Sequence, residues 1–462
     1  MEANPRRSQR TSFPSTRLVG HELLTDNEVA DSGDIVHYAF LVDAATISWE
    51  EAIKIKEWKD AMVEELSAIE RNRTWEIVDL PAQKQTIEVK WIFKTKYKPD
   101  GSVAKLKARL VVKGFLQRPG VDFDDFFAPV ARLETVRLVV AIANTNAWSI
   151  IQMDVKSAFL NGPLEEEVFV RQPLGFVKEG QELKVYKLNK ALYGLRQAPW
   201  AWNKHIDVVL IKLGFRKCTV EHDIYVRFSG QRETLLVYLY VDDLLITGSS
   251  VAEIEEFKTK MKNEFEMTEL GSLSYFLGLE FVQTNSGILM HQKRYVLSTL
   301  ERFNLSNCNC TTIPVIANLK LTSQQEETKV DATLYKQIVG TLRYICNTRP
   351  DISYGVGLIS RFMHDPRQSH LAAAKHILRY LKGTVDFGLL FPKKSESTHG
   401  TLEAWCDADW SGDPIDRKST FGYLFKWMGA SISWCSKKQN IVALSSCEAE
   451  YVTAAETVIE CA

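Results

Sequence analysis

LLVYLYVDDLLITG, residues 235–248, sets two adjacent carboxylates, Asp242 and Asp243, inside a run of apolar strand formers. Turn-forming residues between two such runs predict a β-hairpin, and arms that are apolar on both faces predict a buried one. An acidic β-turn is the ordinary reading of Asp-Asp at a hairpin tip. Against it stands the setting: two charges at the tip of a buried hairpin repel each other unless a cation neutralises them. Carboxylates that hold Mg²⁺ meet that requirement, because Mg²⁺ favours a few carboxylate oxygens together with the phosphates of a substrate.

A third carboxylate stands in SIIQMDVKSAFLNG, residues 149–162, where Asp154 closes an apolar strand before the chain turns at Asn161-Gly162. Taken alone, a strand-end Asp is often a helix cap. Taken with Asp242 and Asp243 it suggests two strands of one sheet bringing three acids together. Such a set suits two Mg²⁺ (or Mn²⁺) ions roughly 3.5–4 Å apart. One ion would activate an attacking hydroxyl, and the other would stabilise a leaving pyrophosphate.

The chain has 462 residues, enough for two to four domains or subdomains, with 45% hydrophobic and 25% charged residues. Its 57 basic residues nearly balance its 58 acidic ones, but the charge is segregated. Residues 84–118 hold ten Lys/Arg against Glu88 and Asp100. Strand-like runs at Val89–Phe93 and Leu110–Val112, with Pro99-Asp100-Gly101 between them, predict a hairpin there. A basic hairpin suits contact with phosphates, although basic runs often are only solvated surface.

Upstream, residues 1–46 lack periodicity and read as a tail or linker, in which Asp31-Ser32-Gly33 is a turn rather than a protease triplet. Ile53, Trp58, Met62, Leu66 and Ile69 predict an amphipathic helix. Further helices are expected over 253–265, 293–303 and 371–381, with a polar linker at 322–329. From Thr401 the pattern returns to strands and then ends in a helix. The eight cysteines show no metal-ligand spacing and read as free thiols, Cys308 and Cys310 included. Without an apolar leader or a membrane span, the expectation is an intracellular protein, cytoplasmic (in a virus-like particle) or nuclear.

Tyr240-Val241-Asp242-Asp243, together with Asp154 and Phe159, resembles the motifs of reverse transcriptases. More narrowly, the chain resembles the polyprotein of copia-type LTR retrotransposons. The likeness is carried in order by WKDAMVEELSAIERNRTWEIV (58–78), KARLVVKGFLQRPGVDF (107–123), QMDVKSAFLNGPL (152–164), LNKALYGLRQAPWAW (188–202) and YVDDLLITG (240–248). It continues through GSLSYFLGLE (271–280), VGTLRYICNTRPDISYGVGLISRFM (339–363) and WCDADWSGD (405–413). Trp200 departs from it, standing where the family usually has a basic residue.

The resemblance implies an α+β right-hand polymerase of fingers, palm and thumb over residues 47–317. A helical connection region (318–398) and a partial RNase H-like α/β domain (399–462) would follow. It implies an RNA template, a DNA primer and dNTPs as partners, with Asp154, Asp242 and Asp243 as catalytic metal ligands. Lys107 and Arg109 would reach the triphosphate, Gln197 would lie beside the nucleotide sugar, and Phe159 would exclude a 2′-hydroxyl. Residues 254 to about 317 would supply thumb-like helices. Asp407 and Glu450 would be two acids of an RNase H set whose other two fall outside the sequence, so cleavage of an RNA–DNA hybrid is not expected. The competing reading is a non-catalytic nucleic-acid-binding remnant of such an element.

Overall fold

A computed structural model describes residues 28–29, 35–36, 47–97, 103–118, 120, 123, 132–229, 233–317, 319–322, 326–393 and 401–461. The Asp31-Ser32-Gly33 and Pro99-Asp100-Gly101 turns lie outside them. The fold mixes helices and antiparallel sheets in two compact units, Met1–Ala128 with Ser157–Val209 and Pro129–Lys156 with Leu210–Ala462. Among the described residues no helix is long and apolar enough to cross a membrane.

In the first unit the expected amphipathic helix is two helices. Trp49–Ala52 opens on a Ser48/Glu51 capping box and ends at Ile53, and Lys56–Arg71 then buries Trp58, Met62 and Ile69. The basic hairpin is longer than its apolar runs, pairing Val89–Tyr97 with Val103–Val112. Strand alternation divides its faces. Val89, Phe93, Ala108, Leu110 and Val112 are buried, and Trp58 meets Phe93 edge-on at 5.2 Å. Lys90, Lys94, Lys107 and Arg109 share the other face, with Lys94 paired directly to Lys107 and Ile92 to Arg109. Beside the hairpin, Trp75–Val78, Val185–Lys190 and Pro163–Val170 form a three-stranded sheet.

The second unit is built on a six-stranded antiparallel sheet. Its order is Met267–Ser272, Ile150–Val155, Asp243–Gly248, Glu233–Tyr240, Ile224–Ser229, Arg216–Lys217. Leu244, Leu245 and Ile246 are all fully buried, as arms apolar on both faces require. Helix Leu133–Thr145 packs Val136, Val139 and Val140 into the core that holds Ile150, Tyr238 and Leu245.

Residues 254–317 are not simply helical. Between helices Val251–Glu264 and Lys293–Arg302 run four strands, of which Leu279–Thr284 and Gly287–His291 form a hairpin. Asn285-Ser286-Gly287 between two alternating runs is a turn signal, and it outweighs the helical expectation. The Gly287–His291 strand then pairs with Leu389–Pro392. Helix Lys293–Arg302 shares one core with Ala332–Ile345, Ser353–Ser360 and Gln368–Gly383 through Val296, Leu342, Ile359 and Ile377.

The C-terminal strands Leu402–Ala408, Thr420–Trp427 and Ala430–Lys438 form a sheet against which helix Ser446–Cys461 lies. Arg137 of helix Leu133–Thr145 is 2% exposed and ties this sheet to the rest of its unit. Its guanidinium donates to the carbonyls of Ile432 (2.6 Å) and Asn347 (3.0 Å), pairs with Glu134, and lies 4.0 Å over the Trp434 ring.

The polar stretch at 322–329 is pinned rather than loose. Arg367 donates to the Glu327 carbonyl, Gln368 N–H to the Thr328 carbonyl, and Ser369 N–H to the Glu327 carboxylate. Buried His370 completes the clasp. Its Nδ1 accepts from the Arg367 N–H at 2.9 Å, which leaves Nε2 to carry the proton toward the Thr322 carbonyl at 3.1 Å. Burial holds this imidazole below its ordinary pKa of 6.5, with Arg367 adding to the fall and Thr322, Glu327 and Asp365 opposing it. The unfolded chain therefore binds the proton more readily, so the stabilisation is complete above pH 6.5 and is lost as the pH falls below it. A His370→Gln variant should show a shallower loss of denaturant stability between pH 7 and 5 than the parent chain. Equal slopes would show that His370 stays unlinked to folding.

Candidate active site

Antiparallel register places Asp154 directly opposite Asp243, and Leu244 opposite Met153. Side chains opposite each other in such a pair have Cβ atoms about 4.5–5.5 Å apart, so two like charges face each other. On the other side of the same strand Thr268 pairs with Asp154. Asp242 stands at the turn next to Asp243, and its carbonyl accepts the Val155 N–H at 2.8 Å. The tip is therefore fastened to the end of the Asp154 strand. Gln152, buried on the same face, donates to Asp243 Oδ1 at 3.4 Å. Val241 precedes the acids with φ of 53°. A β-branched residue in the left-handed region costs on the order of 1–3 kcal/mol, and persists only where surrounding structure over-determines it.

The sequence expectation of three gathered acids is met in backbone and not in side chain. Asp154, Asp242 and Asp243 come to one sheet end, yet among the described residues no group of three or more His, Cys, Asp or Glu side chains is gathered as a metal site. Mutual repulsion of carboxylates explains why they do not converge by themselves. The donor set is nonetheless the right one for a hard divalent cation, since it consists of carboxylate oxygens beside a backbone carbonyl.

The other expected site residues, Lys107, Arg109, Phe159 and Gln197, belong to the first unit. Arg109 Nη1 pairs with Glu65 at 2.7 Å and its guanidinium lies 4.6 Å over the Tyr193 ring, which in turn meets Phe159 at 5.3 Å. Glu65 is 3% exposed and also accepts the Leu110 N–H. Burial pushes its carboxyl above the ordinary range, with Arg109 and Lys107 pulling it back. Gln197 is 1% exposed, so it lies within the unit and not on its surface. Gln117 Nε2 donates to its Oε1 at 3.0 Å. Two glycines allow this approach: a Cβ on Gly194 would stand 2.2 Å from the Val112 carbonyl oxygen, and one on Gly114 would stand 2.0 Å from that of Gly194. Trp200 receives the Lys204 ammonium at 4.6 Å over its ring, while Lys204 also pairs with Glu165.

In the C-terminal sheet, Glu450 Oε1 accepts the Ala408 N–H at 3.2 Å, which draws it beside Asp407; both acids are exposed. Asp409 and Glu448 are engaged elsewhere. Asp409 accepts from the N–H groups of Gly412 and Thr420, and Glu448 accepts from Leu444. Sequence reading did not single out Glu65, Gln117, Gln152 or Tyr193, because each acts through a contact distant in sequence. Only the Gly194 that follows Tyr193 offered a local hint of close packing.

A family model described as reverse transcriptase (RNA-dependent DNA polymerase) matches residues 72–317. The chain is 41% identical over 411 residues to the retrovirus-related Pol polyprotein from transposon RE1 of Arabidopsis thaliana, covering 89% of this chain and 28% of that protein. Against the retrovirus-related Pol polyprotein from transposon TNT 1-94 of Nicotiana tabacum the identity is 39% over 407 residues, covering 86% and 30%. A putative transposon Ty5-1 protein of Saccharomyces cerevisiae is 37% identical over 311 residues, 67% of this chain and 100% of its own length. The chain thus spans less than a third of the first two relatives.

The buried Glu65–Arg109 pair makes a stability prediction. Removing one partner of a buried pair strands the other charge, at a cost of about 3 kcal/mol. Urea unfolding of Glu65→Ala should show a loss of that order. A loss below about 1 kcal/mol would mean that Arg109 finds water or another acid at no cost.

Proposed function

The chain belongs to the reverse transcriptase family, and from that premise we propose that it is an RNA-directed DNA polymerase. It would add deoxynucleotides from dNTPs to the 3′-hydroxyl of a DNA primer on an RNA template. The observation that carries this reading is a pair of like-charge registers of opposite sign. Asp154 faces Asp243 in one unit, and Lys94 faces Lys107 in the other. Each is unfavourable alone. The first is relieved by a divalent cation and the second by a polyanion. A metal-bound nucleoside triphosphate is a ligand that supplies both.

In this reading the basic hairpin serves as fingers and the six-stranded sheet as palm, with the thumb drawn from the mixed segment 251–317. Residues 318–398 form the connection, and 399–462 form an RNase H-like portion in which Asp407 and Glu450 are two of the acids. Asp154, Asp242 and Asp243 would hold Mg²⁺ or Mn²⁺. The bound ion supplies Lewis-acid stabilisation of the charge that develops on the transferring phosphate. Gln152 fixes the Asp243 carboxylate through its amide. Lys107 and Arg109 neutralise the triphosphate, for which Arg109 must exchange its Glu65 contact for a phosphate. Phe159 bars a 2′-hydroxyl, and Gln197 supports the pocket at the sugar.

A non-catalytic nucleic-acid-binding remnant is the alternative, and the unconverged carboxylate side chains favour it. Primer extension separates the two readings. The purified chain should extend a DNA primer on an RNA template with Mg²⁺. Asp242→Asn should reduce extension at least a hundredfold, on the order expected for loss of an electrostatic catalyst, and leave primer–template affinity unchanged. Extension by the variant near the parent rate would overturn the assignment, and no extension by the parent would favour the remnant.

A further inference from the structure

Gln117 lies just beyond the basic hairpin and is 5% exposed, and both ends of its amide are committed. Its Nε2 donates to Gln197 Oε1 at 3.0 Å, and its Oε1 accepts the Arg196 N–H at 2.9 Å. An amide whose oxygen is held by a backbone N–H cannot flip without losing two bonds, since the backbone donor fixes which end is oxygen. The Gln117 nitrogen therefore always faces Gln197, and Gln197 must always present its oxygen to Gln117. That choice turns the Gln197 NH₂ away from Gln117, to the far side of its own amide.

The surroundings leave no slack for another arrangement. Val112 N–H donates to the Tyr193 carbonyl at 2.7 Å, and Gln117 N–H to that of Gly114. The Gly114–Gly194 approach admits no Cβ on either side. Gln117 thus joins the segment that ends the Arg109 strand to the loop that carries Tyr193 and Gln197.

We propose that Gln117 is a positioning residue for nucleotide binding, which sets the amide orientation of Gln197 and so the hydrogen-bond donors that Gln197 contributes at the nucleotide pocket. The proposal rests on the polymerase reading above. It assigns a role to a residue that need not touch the nucleotide, and its effect is expected in nucleotide affinity and not in grip on nucleic acid. Loss of one such oriented hydrogen bond corresponds to about tenfold in affinity.

The test is a double-mutant cycle on the full chain bound to a dideoxy-terminated primer on an RNA template, so that dNTP binding is measured without chemistry. The probe is the complementary dNTP with Mg²⁺, titrated against a fluorescent primer. Gln117→Met and Gln197→Met should each weaken dNTP binding about tenfold, and the double variant should be no weaker than either, because one residue acts through the other. Primer–template affinity should not change. Gln117→Glu, assayed at pH 8, guards against a folding defect. Its ionised carboxylate still accepts from Arg196 but can only accept from Gln197, which forces that amide to turn over. It should melt near the parent temperature and still lose about tenfold in dNTP affinity.

Parent-like dNTP affinity in Gln117→Glu or Gln117→Met, or multiplicative losses in the double variant, would overturn the proposal. If Gln197→Met binds dNTP normally while the parent extends primers, Gln197 has been misassigned and this proposal falls, with the polymerase reading intact. If the parent neither binds dNTP nor extends primers, both fall together.

Discussion

The pairing of Asp154 with Asp243 is the constraint on which the second unit turns. Two carboxylates placed opposite each other repel, and a slip of one residue would separate them. That slip is closed off because it would move Ile150, Leu236, Tyr238 and Leu245 from the face they share with helix Leu133–Thr145 to the opposite one. Burying each such side chain contributes roughly 1.5–3 kcal/mol, well above what a pair of partly exposed charges costs. Apolar packing therefore holds the acids together against their own repulsion. The left-handed Val241 is held in the same way, by a hairpin register fixed on both sides.

The same logic, with the sign reversed, governs the basic hairpin. Its apolar face is seated on Trp58 and Met62, so alternation leaves Lys94 and Lys107 on one side whatever their repulsion. Glu65 meets part of this charge by pairing with Arg109, and the partnership is strained by burial, which raises the carboxyl it depends on. A phosphate offers Arg109 the same fork of acceptors without that penalty. Each unit thus stores an electrostatic demand that its core enforces, one for a cation and one for an anion.

Much of this was legible in the sequence, and the exceptions share a cause. The aspartate hairpin could be read because its signal is local: an apolar run broken by two acids. The basic hairpin could be read because period-two alternation and charge segregation coincide. Residues 267–291 misled because the alternation in Leu279–His291 is short and sits between two strongly amphipathic helices. The stretch at 322–329 looked like a linker because its composition is polar, whereas its order comes from Arg367, Ser369 and His370, some forty residues on. Gln117, Glu65 and Arg137 carry no motif at all. Buried polar groups of this kind are visible only once the fold shows what they bond to.

The account stands on the claim that the Asp154–Asp243 register is unfavourable without a divalent cation. The direct measurement is the thermal unfolding of the full chain and of Asp154→Asn, each in EDTA and in millimolar Mg²⁺. The account predicts that Asp154→Asn melts above the parent in EDTA, because a like-charge pair has been removed. It also predicts that Mg²⁺ raises the melting temperature of the parent alone. A parent indifferent to Mg²⁺, with an Asp154→Asn variant that melts lower in EDTA, would contradict it.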